Sequence, residues 1–187
     1  MKKIESERLT MRLWTLDDAE DCFKYSTDER VGPPGGWKTH ETIEDSIKSI
    51  KEYYLLPETY TICLKDDPEL RLIGSINLTI GKRSPIPGFT EEDAEIGYWL
   101  GYEHWGNGYV TEAVKRMTQY AFQELGMRSV WGRHYISNPK SGNVMKKAGY
   151  EHLYDEEEKD AVTGEMVMVS VLCIKKEAWE AKYGAKQ

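Results

Sequence analysis

Residues 94–135 contain the feature that constrains this chain most: two strand patterns separated by one long amphipathic helix. The strand patterns are AEIGYWL (94–100) and residues 127–135. Between them, apolar side chains recur at the i, i+3, i+4, i+7 spacing of a helix that buries one face, namely Val110, Ala113, Val114, Met117, Tyr120, Ala121 and Leu125. Strands joined by such a crossover run parallel. The segment therefore predicts a βαβ unit within a sheet.

Patterns on either side of this unit predict further elements. Two T-x-x-D sequences, at 15–18 and 42–45, are capping boxes that predict helices through about residues 26 and 54. Asn138-Pro139 opens a short helix that Gly149 closes, and Gly126 is expected to end the long helix. Apolar and alternating runs predict strands at 8–14, 60–65, 70–79, 150–154 and 165–174. The acidic run 155–158 and Asp160 are expected in a solvated turn, and attraction of a cationic partner is the alternative explanation.

The predicted order is therefore β-α-α-β-β-β-α-β-α-β-β. It favours an α/β protein (α+β in some schemes) with a mixed, mostly antiparallel sheet, the central βαβ crossover and flanking helices. A length of 187 residues, 40% of them hydrophobic, allows a sizeable core. Neither repeats nor a composition break marks a linker, so residues 1–187 are expected to form a single domain.

The composition narrows the function classes. A formal net charge of −7 argues against broad nucleic-acid binding, which needs a basic face. Charges follow the first lysines where a signal peptide would be apolar, and no apolar run approaches the roughly 18 residues of a membrane span. Three scattered cysteines and four histidines lack the spacing of a metal site or a disulfide framework. We expect a cytoplasmic protein that binds no metal, nucleic acid or membrane.

The turn before the long helix contains two glycines, Gly106 and Gly108, which allow two explanations. They can simply permit positive φ in a tight connection. Alternatively, they let backbone amides close around an anion, which the helix dipole also attracts. Neither the P-loop pattern nor the dinucleotide pattern matches, since Gly-Lys-Ser/Thr is missing and Thr111 stands at the third glycine position of G-x-G-x-x-G.

The stretch instead resembles the acetyl-CoA site of the GNAT N-acetyltransferases, in the branch that includes the ribosomal-protein N-terminal acetyltransferases. The resemblance covers nearly the whole chain. Five segments carry it: SERLTMRLWTLDDAED (6–21), GWKTHETIEDSI (36–47), LIGSINL (72–78), AEIGYWLGYEHWGNGYVTEAV (94–114) and RSVWGRHYISNPKSGNVMKKAGYE (128–151). It implies the GNAT fold and direct acetyl transfer from acetyl-CoA to a primary amine. The amine would be the α-amine of a protein N-terminus or belong to a small molecule.

The resemblance also implies contacts to coenzyme A. Its pyrophosphate is expected on the backbone amides of Gly106, Asn107, Gly108, Tyr109, Val110 and Thr111. The pantetheine arm is expected to pair with the backbone of Tyr98 and Leu100 like an added strand, with Asn138 and Asn143 as further contacts. Two positions depart from the family pattern: Trp105 replaces Gln/Arg and is expected to pack under the turn, and Val110 replaces a small residue. Gly97 is expected where the family strand bulges and splays.

Acetyl transfer to an amine needs a base, an oxyanion donor and help for the leaving thiolate. Glu95 is the candidate base, because it shares a strand face with Gly97 beside the expected thioester; its alternative is an ordinary solvated carboxylate. A backbone N–H near Leu100 is the oxyanion donor by resemblance. Many relatives use a tyrosine for the leaving group where this chain has Met145, but this branch has a serine, here Ser141.

Alternatives stay open for several of these residues. Ser141 can instead cap backbone donors near Asn138, and Asn138 can itself be the N-cap of its helix. Trp37 and His40 are expected beside the acceptor pocket, although an exposed loop histidine is more often inert. The rival function is a non-catalytic acyl-CoA-binding or regulatory module. The sequence leaves the oligomeric state open, and a homodimer is compatible with it.

Overall fold

The structure is a computed structural model that describes residues 2–81, 84 and 86–184. Within these residues, eight β-strands form one sheet in the order β1-β2-β3-β4-β5-β6-β8-β7. The strands are β1 (Lys3–Glu5), β2 (Leu9–Leu13), β3 (Thr59–Leu64), β4 (Leu72–Ile80), β5 (Asp93–Leu100), β6 (Ser129–Tyr135), β7 (Glu151–Lys159) and β8 (Met166–Lys175).

Five α-helices accompany the sheet in the described part of the chain. They are α1 (Ala19–Ser26), α2 (Ile43–Ser49), α3 (Tyr109–Gln123), α4 (Pro139–Ala148) and α5 (Lys176–Tyr183). A π-helical turn, Ile50–Tyr54, extends α2 to the predicted end of that helix. None of the helices among the described residues is both long and apolar enough to cross a bilayer.

The predicted βαβ crossover is confirmed. β5, α3 and β6 follow one another, and β5 and β6 pair in parallel, while the other strand pairs are antiparallel. The predicted mixed, mostly antiparallel sheet is therefore confirmed. Both capping boxes form: Thr15 with Asp18 and Thr42 with Asp45 satisfy backbone donors that a helix start leaves unpaired.

Three sequence predictions need correction. The short strand β1 was missed, because three residues are too few for a periodic pattern. The acidic run 155–158 lies in strand β7, not in a turn; β7 is an edge strand, and several of its charged side chains remain accessible to solvent. Helix α3 ends at Gln123, so Gly126 lies two residues beyond its C-cap, where its φ is 70°.

Hydrophobic side chains cover both faces of the sheet. Helices α3 and α4 bury one face around residues such as Ile96, Val114 and Met145. The helices α1 and α2 bury part of the other face around Trp14 and Trp99. Because successive residues of a strand point to opposite faces, β5 directs Trp99 towards α1 and α2, and Tyr98 towards α4.

Candidate active site

A cleft opens where the two parallel strands separate. The β5–β6 ladder joins Asp93–Ile96 to Ser129–Gly132 and does not continue past Ile96. Beyond that point the two strands diverge, so the expected splay is present. The expected bulge is not: the register between β4 and β5 is unbroken from Ile80–Ala94 to Gly74–Leu100.

Gly97 instead has a close neighbour on the adjacent strand. It pairs with Asn77 of β4, and a Cβ at position 97 would lie 2.7 Å from Oδ1 of Asn77. A larger residue at position 97 would therefore displace the side chain of Asn77. The glycine in the strand therefore marks a close side-chain approach at the cleft wall.

The cleft has a volume of about 760 Å³, within the usual range for small-molecule sites. Its walls come from β5, from the glycine turn with the first residues of α3, from β6 and from the start of α4. Of the residues predicted from sequence, it brings together Glu95, Tyr98, Leu100, Gly106, Gly108, Tyr109, Val110, Thr111, Asn138, Ser141 and Asn143. Asn107 belongs to the same turn, but its side chain bonds the carbonyls of His104 and Trp105.

The glycine turn is an open backbone loop at the start of α3. Gly106 and Gly108 have φ values of 81° and 79°, which L side chains rarely adopt. A Cβ at Gly106 would meet nothing within 4 Å, so the turn faces free space and not packed side chains. Exposed amides at the positive end of a 15-residue helix are a candidate site for an anion.

Two side chains brace this turn. Trp105 donates its indole N–H to the carbonyl oxygen of Leu100 at 2.8 Å, which ties the turn to the end of β5 and confirms that Trp105 packs beneath it. Arg8 donates to the carbonyl oxygen of Asn107 at 3.1 Å and pairs with Glu112 of α3 at 2.7 Å. Burial opposes ionisation of Glu112, but hydrogen bonds from Arg8 and Ser6 outweigh it and lower its pKa. Sequence reasoning missed the Arg8–Glu112 pair, which joins residues 104 positions apart.

The strand β5 offers backbone groups to the cleft. The amide of Gly101 donates to Ile73 on the β4 side. Because backbone direction alternates along a strand, Tyr98 and Leu100 turn their amides and carbonyls away from β4, towards the cleft. The carbonyl of Leu100 is occupied by Trp105, which leaves its N–H as the group aimed at a ligand.

Glu95 lies at the wall of the cleft in a network of polar contacts. Its Oε1 accepts from Nε of Arg133 at 2.9 Å, and its Oε2 accepts from the hydroxyl of Ser84 at 2.7 Å. Arg133 also donates to Glu158 of β7. Sequence reasoning missed Arg133, and it named Glu158 only as part of the acidic run 155–158. The available signal was alternation: Arg133 falls on the same face of its strand as Trp131, the register partner of Glu95.

Helix α4 begins at the opposite wall. Asn138 is its N-cap, as one prediction had it: Oδ1 accepts from the amide of Ser141 at 3.4 Å, while Nδ2 donates to the carbonyl of Pro34. The hydroxyl of Ser141 does not contribute to this cap; it lies 3.0 Å from the hydroxyl of Tyr98. Met145 is buried in the core, and Asn143 is exposed.

Trp37 and His40 are not brought to the cleft wall. Trp37 packs against Gly32, Gly35 and the ring of Trp99. Both ring nitrogens of His40 form hydrogen bonds within the protein, with Ser46 at 2.8 Å and Ser49 at 3.1 Å, and burial lowers the pKa of His40.

Among the described residues, no group of three or more histidine, cysteine, aspartate or glutamate side chains is arranged to hold a metal ion.

The exposed amides, the splayed strand edge and the central crossover are the arrangement that the resemblance to the GNAT acetyltransferases predicted. Sequence comparison agrees, since the family described as "Acetyltransferase (GNAT) domain" matches residues 8–151. The chain is 28% identical over 153 residues to the uncharacterized N-acetyltransferase YoaA of Bacillus subtilis (strain 168), covering 79% of this chain and 82% of that protein. It is 27% identical over 108 residues to the ribosomal-protein-serine acetyltransferase of Escherichia coli (strain K12), covering 57% of each.

Solved structures share the fold. A GNAT-family acetyltransferase from Bacillus anthracis superposes with a TM-score of 0.79 at 22% identity, covering 94% of this chain and 99% of that one. The spermidine N-acetyltransferase of Vibrio cholerae, in complex with CoA and spermine, superposes with a TM-score of 0.71 at 16% identity, covering 92% and 98%. This chain belongs to the GNAT acetyltransferase family and is an acetyl-CoA-dependent N-acetyltransferase.

Proposed function

We propose that this protein acetylates a primary amine that enters the cleft from the side of Glu95. The amine is either the α-amine of a protein N-terminus or an amine on a small molecule. The observation that carries the proposal is the separation of β5 and β6 beyond Ile96. It opens the sheet between Glu95 on one face and the start of α4 on the other, so donor and acceptor can meet within the cleft.

The donor is expected to lie along the glycine turn and β5. The amides of residues 106–111 would hold the pyrophosphate, because they stand at the positive end of α3 and the space around Gly106 is open. The backbone of Tyr98 would pair with the pantetheine arm, and the N–H of Leu100 would stabilise the oxyanion. Asn138 and Asn143 would add contacts from α4. When bound, acetyl-CoA supplies the activated thioester carbonyl.

Glu95 is proposed to remove the proton that the amine must lose before it attacks, either directly or through a water. An alkylammonium ion holds its proton up to about pH 10.4, so a base is needed at neutral pH. Arg133 and Ser84 fix the position of the carboxylate, and each of its oxygens keeps a second lone pair for a proton.

Ser141 is proposed to donate a hydrogen bond to the departing sulfur. Asn138 already caps the amide of Ser141, so the hydroxyl is available, and it lies in the first turn of α4 at the cleft wall. Met145, at the position of the usual tyrosine, has a side chain that is buried and cannot donate a proton.

The charges beyond Glu95 favour an acceptor that arrives as a cation. Glu95 and Glu158 line the cleft, and Arg133 donates to both, while Arg30, Lys140 and Lys147 also line it. A carboxylate at the wall attracts an ammonium group. Both acceptor classes satisfy this requirement, and the names of two proteins similar to this chain mention a ribosomal protein and spermidine as acceptors.

An amine panel tests the proposal. The purified protein is incubated with acetyl-CoA and with spermidine, peptides bearing a free α-amine, or the same peptides blocked at the α-amine. Thiol release and the mass of the products are measured. We expect a mass gain of one acetyl group on one amine class and none on blocked peptides without other amines. Binding of CoA without turnover on any amine would favour the non-catalytic acyl-CoA-binding rival.

A further inference from the structure

The hydroxyl of Tyr98 occupies a place at the cleft wall that backbone pairing alone does not explain. Tyr98 points from β5 towards α4, on the face opposite Glu95. Its hydroxyl is 2.9 Å from the carbonyl oxygen of Ser141 and 3.0 Å from Oγ of the same residue. Two contacts from one hydroxyl to one residue fix both the backbone and the side chain of Ser141 relative to β5.

The chemistry of these atoms orders the hydrogen bonds. A carbonyl oxygen only accepts, so Tyr98 donates its proton in the contact with the Ser141 carbonyl. The oxygen of Tyr98 is then an acceptor for the hydroxyl of Ser141. If Ser141 turns its proton towards another acceptor in the cleft, Tyr98 can turn its own proton to Oγ of Ser141. Hydrogen bonds in such a chain strengthen one another.

The protonation state of Tyr98 supports this arrangement. Burial raises the pKa of Tyr98 to about 12, although the hydrogen bond with Ser141 opposes the shift. Tyr98 therefore keeps its proton across the neutral range and stays available as a donor.

We propose that Tyr98 is a positioning residue whose hydroxyl holds Ser141 and strengthens it as a hydrogen-bond donor to the departing sulfur. This inference rests on the proposed function of Ser141. As the C–S bond breaks, its electron pair goes to sulfur, and the proton of Ser141 stays on Oγ because a serine hydroxyl is a much weaker acid than a thiol. Tyr98 donates to Oγ and strengthens the hydrogen bond from Ser141 to the negatively charged sulfur.

Binding of CoA tests the inference without turnover. Affinities for CoA and for desulfo-CoA, which lacks the sulfur, are measured by calorimetry across about pH 6–9, a range that brackets the ordinary pKa of a thiol. A donor aimed at sulfur favours the thiolate, so the preference for CoA over desulfo-CoA should increase about tenfold with pH in the wild type. We expect Tyr98→Phe and Ser141→Ala each to abolish most of this increase.

Kinetics supply a second measurement. Tyr98→Phe should lower kcat about tenfold with little change in KM for acetyl-CoA, and Ser141→Ala about 100-fold. Because Tyr98 acts through Ser141, adding Tyr98→Phe to Ser141→Ala should cost nothing more. Tyr150→Phe is the matched control, since it also removes a buried tyrosine hydroxyl, bonded to Thr118 at 2.8 Å, and should leave both measurements unchanged.

Three results would overturn the inference. Tyr98→Phe could keep the pH-dependent preference for CoA, it could behave like Tyr150→Phe, or the two kinetic losses could multiply. If Ser141→Ala acetylates as fast as the wild type, this inference fails while acetyl transfer stands. If the wild type binds no CoA and acetylates no amine, the proposed function itself fails.

Discussion

Nε of Arg133 lies 2.9 Å from Oε1 of Glu95, and the ion pair stands beside the point where β5 and β6 separate. The two residues come from parallel strands joined by α3, and their side chains are mostly buried. The pair has two consequences: it fixes the carboxylate at the cleft wall, and it orients Arg133 towards Glu158. Glu95 is thus a held carboxylate, and not the freely solvated one that its strand position alone allowed.

Replacing Glu95 by glutamine tests its role as a base. Glu95→Gln keeps the shape of the side chain but cannot accept a proton from the amine. If Glu95 is the general base, kcat should fall on the order of 10²-fold, and the fall should be smaller at high pH, where more of the amine is already deprotonated. Steady-state kinetics measures kcat of the variant and the wild type as a function of pH. Glu157→Gln, at an exposed position of β7, is the control. A normal rate and pH profile would remove Glu95 from the mechanism.

A bulky residue at Gly108 should block the anion site. Gly108→Val forces a β-branched side chain into positive φ and covers amides at the start of α3. We expect CoA affinity to fall at least about tenfold, which corresponds to roughly 1.4 kcal/mol. Calorimetric titration with CoA measures the affinity, and urea unfolding measures stability.

Gly126→Val separates backbone strain from binding. Gly126 lies beyond the other end of α3, has a φ of 70°, and has free space around its missing Cβ. The Gly126→Val variant should lose about as much stability as Gly108→Val but should bind CoA with the affinity of the wild type. Equal CoA affinities for the two variants would count against the anion site at the glycine turn.

Asp93 should make the protein sensitive to acid. Its side chain is buried at the start of β5 and accepts from Ser129 at 2.6 Å and from Thr90 at 2.7 Å. Burial opposes its ionisation, but these hydrogen bonds outweigh it and lower its pKa. Because the folded-state pKa of Asp93 is lowered, its carboxylate stabilises the folded protein at pH values above its unfolded-state pKa of about 3.9. This stabilisation is lost as the pH falls through the folded-state pKa.

Replacement of Asp93 tests this dependence. Asp93→Asn should lower the free energy of unfolding at neutral pH and make its decline below about pH 4 shallower. Urea unfolding at several pH values measures both effects. Asp66→Asn, at an exposed position, is the control. The same acid dependence in Asp93→Asn as in the wild type would assign it to other carboxylates.

We expect replacement of His40 to change the stability of the protein more than its binding of the acceptor amine. Burial lowers its pKa, so the folded protein resists protonation of His40, and stability should fall as pH drops below about 6.5, the unfolded value. His40→Ala should remove this decline and lower stability, because it also removes the contacts with Ser46 and Ser49. The KM for the amine should stay within about twofold. A large rise in that KM with unchanged stability would restore His40 as an acceptor contact.

Local chemistry made much of the fold predictable. The capping boxes at Thr15 and Thr42, the periodic face of α3 and the Asn138–Gly149 helix all depend on residues within a few positions of one another. The same holds for the glycine turn, whose positive φ values glycine permits without steric cost. Edge elements were harder: β1 is too short for a pattern, and the charges of β7 masked its strand character.

The sequence by itself determined the crossover, the glycine turn and the family, because these follow from residues close together along the chain or from a matching motif. Only the tertiary structure decided which distant side chains meet. Arg8 with Glu112, Arg133 with Glu95 and Glu158, and Tyr98 with Ser141 are separated by 25 to 104 positions. Their contacts exist because the sheet and the helices packed on it bring distant segments of the chain together, and no local sequence pattern encodes that proximity.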